Sequence, residues 1–353
     1  MERKLASMRK ISQILPIEGA DAIELAIVDG WKVVVAKDVG HKVGDLVVYC
    51  EVDSFLPVRE EFEFLRKSSY KKMGDQEGFR LKTIKLRGQI SQGLILPMSI
   101  FGDFSWTAHE GLDVSEKLGI VKYEPPIPAQ LAGKVKGSFP SFLRKTDEER
   151  IQNLAAEYVE LRKHTYYVTE KLDGSSATFY VRDGVFGVCS RNLELAEPEP
   201  FVPGMVMCDD GIERPKQENS FWKVAREMDL KEKLLSTGKN ISIQGELIGE
   251  GIQGNPYRIK GQTVKFYNAF DIDAFDYLGY EEFVTFIENL GLKTVPVLDE
   301  NFSLPESIDD LLLFAEGKSV FSDSQREGVV IRSLDRKISF KVISNKFLLK
   351  NDG

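Results

Sequence analysis

The sequence predicts an α+β chain in two parts, a small N-terminal β-barrel followed by a larger mixed domain. Three observations carry that prediction. The first hundred residues are short β-branched runs cut by glycine turns. Three prolines then fall within the four residues 125–128. Beyond them, strand-like runs alternate irregularly with amphipathic helical ones. With 353 residues, 42% of them hydrophobic and 29% charged, the chain has length for two separate cores.

The barrel is read element by element. WKVVVAKD and DLVVYCEVDSFLP are β-branched runs joined by the turn Gly40-His41-Lys42-Val43-Gly44-Asp45. A second pair follows in FRLKTIKLRGQISQGLILP, broken at Gly88 and Gly93 and closed by Pro97. Roughly five short strands in about a hundred residues suit a small closed barrel, of the OB kind that commonly binds oligonucleotides or of another small-barrel kind. Tyr123 to Pro128 cannot propagate helix or sheet, because proline lacks the backbone donor and fixes φ. The expected organisation is therefore an OB-like domain at 1–122, a proline-containing linker at 123–145 and an α+β domain at 146–353. In that last part, TDEERIQNLAAEYVELRK reads as a helix with Thr146 as N-cap and Glu149 three residues on. TYYVTEKL and SATFYV read as strands, which gives α+β and not a regular βαβ series.

Composition excludes several classes of function. No stretch approaches the apolar length of a membrane span, and the first residues lack a signal-peptide core, so a soluble intracellular protein is expected. Cys50, Cys189 and Cys208 are far apart, and His41, His109 and His164 form no cluster, which leaves disulfide, zinc and histidine chemistry without support. The net charge of -8 argues against indiscriminate coating of nucleic acid. Charge is nevertheless local: eight Lys/Arg lie between Arg66 and Arg87, against Asp75 and Glu77. A charge run alone is more often a solvated face than a binding site.

The candidate chemistry centres on Glu170-Lys171-Leu172-Asp173-Gly174, where a strand ends in a glycine turn. Alone, this is an ordinary hairpin decorated by a Lys–Asp pair. Further segments follow in order. Ser190-Arg191-Asn192 closes a hairpin strand, and QGELIGEGIQGN brings Glu246 out of an apolar strand. VKFYNAFDI ends at Phe270-Asp271, EGVVIR starts at Glu327, and ISFKVIS carries Lys341.

Taken together and in this order, these segments resemble the nucleotidyltransferase superfamily of polynucleotide ligases and RNA capping enzymes that works through a covalent lysine adduct. The resemblance spans Tyr166 to Lys341, and SFPSFLRKTDEERIQN, QGELIGEGIQGN, FYNAFDI and SFKVISNKFLLK are most similar to ATP-dependent RNA ligases. The layout is similar to the branch with an N-terminal OB domain, which implies an adenylation domain in the second part. Only twelve residues follow Lys341, so a C-terminal OB domain, as in DNA ligases and capping enzymes, is not expected.

The resemblance implies Lys171 as the nucleophile that takes AMP from ATP. It implies Asp173, Glu246 and Glu327 as the carboxylates that hold Mg²⁺ or Mn²⁺, directly or through waters. Arg191 and Lys341 would contact ribose or phosphate, and Phe270 would stack on adenine. Glu170 would help read the base, and Arg150 is a weaker phosphate contact with a charged helix face as its plain alternative. Many members carry a Lys-x-Lys pair in the last motif, whereas Lys341 is flanked by Ser339 and Ile343, which leaves Lys337 or Lys346 as substitutes. The partners implied are RNA 5′-phosphate and 3′-hydroxyl ends, including nicked duplex, handled by a monomer in RNA repair. The alternatives are a DNA ligase, a capping-type enzyme, or a nucleic-acid-binding relative that has lost catalysis. The N-terminal module would bind RNA through Lys82, Lys85 and Arg87, or assist ATP loading.

Overall fold

The computed structural model describes residues 4–102, 106–124, 133–199, 202–207, 213–215 and 218–351. The strand Ala6–Pro16 organises the N-terminal part. Its first half pairs antiparallel with Leu46–Cys50 and its second half with Ile23–Val28, and the register slips between Ile11 and Gln13. A bulge of this kind lets one long strand bend from one side of a barrel to the other. Leu94–Leu96 and Trp31–Ala36 complete a five-stranded sheet. Met8, Val48, Cys50, Leu56 and Phe79 pack on one side of it, and Ile11, Trp31, Val33 and Tyr49 on the other.

The barrel holds more strands than the five expected. Ser54–Pro57, Tyr70–Met73, Gln76–Arg80 and Val121–Lys122 form a second sheet. Thr83–Leu86 and Gln89–Gln92 form a separate hairpin. Most of the extra strands are two to four residues long, too short for period-two alternation to be visible in sequence.

The second part is built on two sheets. The seven-stranded one runs Val135–Ser138, Leu193–Leu195, Val185–Cys189, Ser175–Arg182, Ile241–Gly249, Gln262–Asp271 and Asp276–Tyr277, in that spatial order. The five-stranded one runs Glu149–Arg150, Ser339–Ile343, Gly328–Ser333, Thr165–Lys171 and Val297–Ser303. Phe179, Ile243, Phe266 and Trp222 fill the core behind the first sheet. Val168, Val329, Ile331 and Phe340 fill the core behind the second.

Two sequence readings change here. Residues 125–132 of the expected linker lie outside the described residues, and Val135–Ser138 is an edge strand paired with Leu193–Leu195. The expected helix from Thr146 is also broken up. Glu149–Arg150 is a short strand, Ile151–Leu154 a 3₁₀ turn and Tyr158–Leu161 a single helical turn. Tertiary pairing overrides helix propensity at this point. Glu149 and Arg150 pair parallel with Phe340 and Lys341, while the Gln152 carbonyl accepts from Gly30 N at 2.9 Å. A Cβ on Gly30 would stand 2.8 Å from Gln152 Cα, so only glycine lets the two parts approach this closely.

That junction is tightly bonded. Trp31 Nε1 donates to Asn153 Oδ1 at 2.5 Å. Asn153 Nδ2 in turn donates to Glu51 Oε1 at 2.7 Å and to Glu149 Oε1 at 2.6 Å. Gln92 Nε2 reaches Asn345 Oδ1 at 3.2 Å on a second side.

Candidate active site

Lys171 ends the strand Thr165–Lys171, and alternation along it decides which side chains share the lysine's face. Tyr167, Thr169 and Lys171 form one set. Tyr166 and Val168 face the core behind the sheet, and Glu170 shares their side. The Glu170 carboxylate accepts from Val320 N at 2.8 Å. Burial raises its pKa despite hydrogen bonds from Ser319 and Val320 and the nearby Arg326. The two-residue period thus turns the Glu170 side chain away from the Lys171 amine.

Lys171 Nζ donates to both Glu327 oxygens at 2.7 Å. Lys171 pairs in register with Gly328, which brings Glu327 alongside, 156 residues away in sequence. On the facing sheet, Ser176 and Glu246 are cross-strand partners. The turn between the sheets is held by Asp173 N, which donates to Tyr257 Oη at 2.5 Å. A Cβ on Gly174 would lie 2.4 Å from the Leu247 carbonyl oxygen and 2.8 Å from Glu246 Cγ. The glycine of the turn is what lets Asp173 and Glu246 close on the lysine.

The electrostatics are those of three carboxylates around one ammonium. Burial raises the Asp173 pKa to about 7, with Glu327 adding to the rise against Lys171. Burial raises that of Glu246 to about 8, with Lys171 opposing and Glu327 and Asp173 reinforcing it. For Lys171, burial works against the charge, but Glu327, Glu246 and Asp173 outweigh it and the pKa is raised. This surplus of negative charge and its oxygen-only donor set suit a hard divalent cation such as Mg²⁺ or Mn²⁺. Among the described residues, no three acidic, histidine or cysteine side chains close on a common ion position. A hydrated ion held partly through waters is the coordination the donors fit.

Arg191 and Lys341 do come together, through a residue the sequence reading did not single out. Asp147 bridges them, with Oδ2 3.1 Å from Arg191 Nη2 and Oδ1 3.1 Å from Lys341 Nζ. Burial would raise the Asp147 pKa, but Lys341, Arg191 and Lys122 together hold it well below the usual carboxylate range. Of the two substitutes for a second motif lysine, Lys337 pairs with Asp335 and Lys346 with Glu316. Arg150 is not on a charged helix face. It is 5% exposed, its Nη2 lies 3.5 Å from Asp53 Oδ2, and its guanidinium sits 5.6 Å from the Trp31 ring.

Phe270 offers no ring face to a base. It is fully buried, with Phe275 and Tyr277 edge-on at 5.3 and 5.2 Å and the Arg144 guanidinium 5.9 Å from its centroid. Its burial is at odds with the stacking role expected of it, and a register slip brings another ring of this strand to the site. Gln244 pairs with Asn268 but Gly245 pairs with Phe266, so Tyr267 is the extra residue of a bulge. Bulges re-aim side chains, and Tyr267 Oη ends 3.2 Å from Ser176 Oγ, beside Glu246. Below it lies the buried Arg332, whose guanidinium is 5.8 Å from the Tyr267 ring and 2.9 Å from Glu148 Oε1. Arg332 and Glu148 stand 184 residues apart, and no local pattern links them.

A family model described as an OB-fold domain matches residues 5–98, and one described as RNA ligase matches residues 164–347. The chain belongs to the RNA ligase family. Its RNA ligase segment contains Lys171, Asp173, Arg191, Glu246 and Glu327. Among solved structures, the family member Naegleria gruberi RNA ligase with PPi is similar at 41% identity and TM-score 0.89, over 99% of both chains. An apo aspartate-to-alanine mutant of the same ligase is 40% identical at TM-score 0.89, over 99% of this chain and 98% of that one. An arginine-to-alanine mutant of it with ATP and Mn is 40% identical at TM-score 0.88, over 99% of both. No curated protein sequence matches.

Proposed function

We propose that this RNA ligase family member joins RNA ends using ATP and Mg²⁺ or Mn²⁺, with Lys171 as the covalent carrier of AMP. One observation carries the reading. The Lys171 amine is held 2.7 Å from Glu327, in a turn where Asp173 and Glu246 add two more carboxylates. The relatives with ATP and Mn support the choice of nucleotide and metal.

Three transfers follow. The Lys171 ammonium first gives up a proton to solvent, a loss that a cation bound among the carboxylates would favour; the neutral amine then attacks the α-phosphorus of ATP, a P–N bond forms and pyrophosphate leaves. AMP passes to an RNA 5′-phosphate and frees the lysine. A 3′-hydroxyl then attacks the 5′-phosphate and AMP leaves. When bound, the metal supplies positive charge that offsets the carboxylates and the phosphate under attack. Glu327 orients Nζ through two hydrogen bonds, and Asp173 and Glu246 would hold the ion. Arg191 and Lys341 neutralise phosphate or ribose oxygens, where preorganised charge has its largest effect. Tyr267 takes the base-stacking place expected of Phe270, above a polar floor of Arg332, Glu148 and Thr169.

The N-terminal domain, residues 1–122, has two readings. Lys85 and Arg87 are exposed on their hairpin and suit RNA. ATP loading is the better supported of the two, because Lys122 lies close enough to Asp147 to lower its pKa and Asp53 holds Arg150. A monomer acting on nicked RNA in repair is the substrate reading that goes with this.

The test is incubation with α-labelled ATP or GTP, then sealing of nicked RNA and nicked DNA. ATP-specific labelling, its loss in Lys171→Ala and sealing of RNA are expected. Labelling of the Lys171→Ala protein removes the nucleophile assignment, GTP labelling points to a capping-type enzyme, and the absence of any adduct points to an inactive relative.

A further inference from the structure

The loop 250–261, between the strands that carry Glu246 and Tyr267, is fastened directly to the nucleophile turn. Its Tyr257 Oη accepts from Asp173 N at 2.5 Å, and Gln253 Nε2 donates to Gly174 O at 3.4 Å. Asn255 braces the loop from within, with Nδ2 2.9 Å from Ile259 O and Oδ1 3.1 Å from Ile259 N. Gln253, Asn255 and Arg258 all have left-handed φ, at 45°, 49° and 54°. Non-glycine residues persist there only where the surroundings over-determine the shape.

What this rigid loop presents is positive charge without a counter-ion. Arg258 and Lys260 are exposed on it. Lys265 follows, cross-strand to Glu246 and so on the same sheet face, with Nζ 5.8 Å from the Phe321 ring. Burial and the neighbouring Lys293 lower the Lys265 pKa. Among the described residues, none of these four cations has a carboxylate within ion-pair distance, whereas Lys171, Arg191 and Lys341 each have one. In a chain of net charge -8, four unpaired cations beside the catalytic turn are a local reversal of sign. Tyr257 and Phe321 pack edge-on beside them at 5.8 Å. Clustered cations beside the turn match the sugar-phosphate backbone of a nucleic acid strand.

We propose that Arg258, Lys260, Lys265 and Lys293 form a ledge that holds the phosphate backbone of the RNA next to the end that receives AMP. The inference rests on the RNA-joining function above and extends it to residues the ATP reaction does not require. The ledge gives the strand a fixed approach to Lys171 from the Asp173–Gly174 side, and leaves the Arg191–Lys341 side to the nucleotide.

The test uses the full chain, with the paired variant Lys265→Gln/Lys293→Gln and, separately, Arg258→Gln/Lys260→Gln, whose sites are exposed and do not threaten folding. Two quantities are read. Adduct formation from labelled ATP is expected to stay within about twofold of the parent, because no phosphate of ATP is assigned to the ledge. Binding of a 5′-phosphorylated nicked RNA duplex is expected to weaken about tenfold in each pair, with the slope of log affinity against log salt falling by about one per cation removed. Unchanged RNA affinity and salt slope in both pairs would overturn the ledge. Loss of adduct formation in parallel with RNA binding would overturn it too, since the cations would then serve the nucleotide. If the parent protein forms no adduct, the RNA-joining function fails, while the RNA-binding comparison still judges the ledge.

Discussion

Asp147 pairs with Arg191 and Lys341, the two cations proposed to contact ATP, which makes Asp147→Asn an informative change. Its carboxylate lies 3.1 Å from both Arg191 and Lys341, the position a phosphate or ribose oxygen would take. Nucleotide binding then has to break both pairs. The Asp147 and Arg191 side chains are 36% and 50% exposed, so solvent screens the attraction and the range for surface pairs applies. At roughly 0.2–1 kcal/mol per exposed pair, two pairs amount to about 0.4–2 kcal/mol. Removing that competition should lower the KM for ATP about 2- to 30-fold. The assay is the initial rate of adduct formation against ATP concentration, with thermal melting as the folding control. An unchanged or raised KM in a folded variant refutes the reasoning, because Asp147 would then be organising the cations and not competing for them. The same substitution has a pH signature. The folded-state pKa lies below the unfolded one, so the stabilisation is complete above the ordinary carboxylate range and is lost as pH falls through the depressed value. Asp147→Asn should therefore flatten the acid limb of the stability curve, as read by urea unfolding from about pH 5 down to about pH 2, the range in which a carboxylate of lowered pKa loses its stabilisation.

The remaining expectations concern the turn, the metal and the junction. Gly174→Ala places a methyl 2.4 Å from the Leu247 carbonyl. A displacement of about 1 Å costs on the order of 100-fold in rate, so adduct formation should fall by about that factor while far-ultraviolet dichroism stays unchanged. Chelation of divalent ions should abolish adduct formation, and Mg²⁺ or Mn²⁺ should restore it. In metal-free protein the raised Asp173 and Glu246 values, about 7 and about 8, lie above their unfolded ones, so stability falls as pH rises through that window. Added Mn²⁺ should accordingly raise the melting temperature more at the basic end of the window than at the acidic end; an equal shift at both ends argues against binding through these carboxylates. Asn153→Ala orphans the buried Trp31 Nε1 and removes one donor each from Glu51 and Glu149. A loss of about 1–3 kcal/mol in urea unfolding is expected, the cost of one unsatisfied buried donor.

Residue order alone singled out the candidate carriers of the chemistry. Lys171, Asp173, Arg191, Glu246, Glu327 and Lys341 are legible because each sits at a strand end or on a strand whose apolar alternation frames it. The β-rich first part and the α+β second part followed from the same periodicities. Other features needed the folded chain. The bulge between Gln244 and Gly245 aims Tyr267 at Ser176 beside Glu246, while Phe270 is buried against Phe275 and Tyr277, and a one-residue slip leaves no mark in composition. Strand alternation turns Glu170 away from its neighbour Lys171. Asp147 meets Arg191 and Lys341, and Glu148 meets Arg332, only after strands far apart in sequence are paired. The expected helix after Thr146 gave way to a strand and a 3₁₀ turn, because Glu149 and Arg150 gain ladder partners in Phe340 and Lys341 and Gln152 closes on Gly30. Sequence periodicity reports the face a residue is built for, whereas register and long-range pairing decide what that face meets.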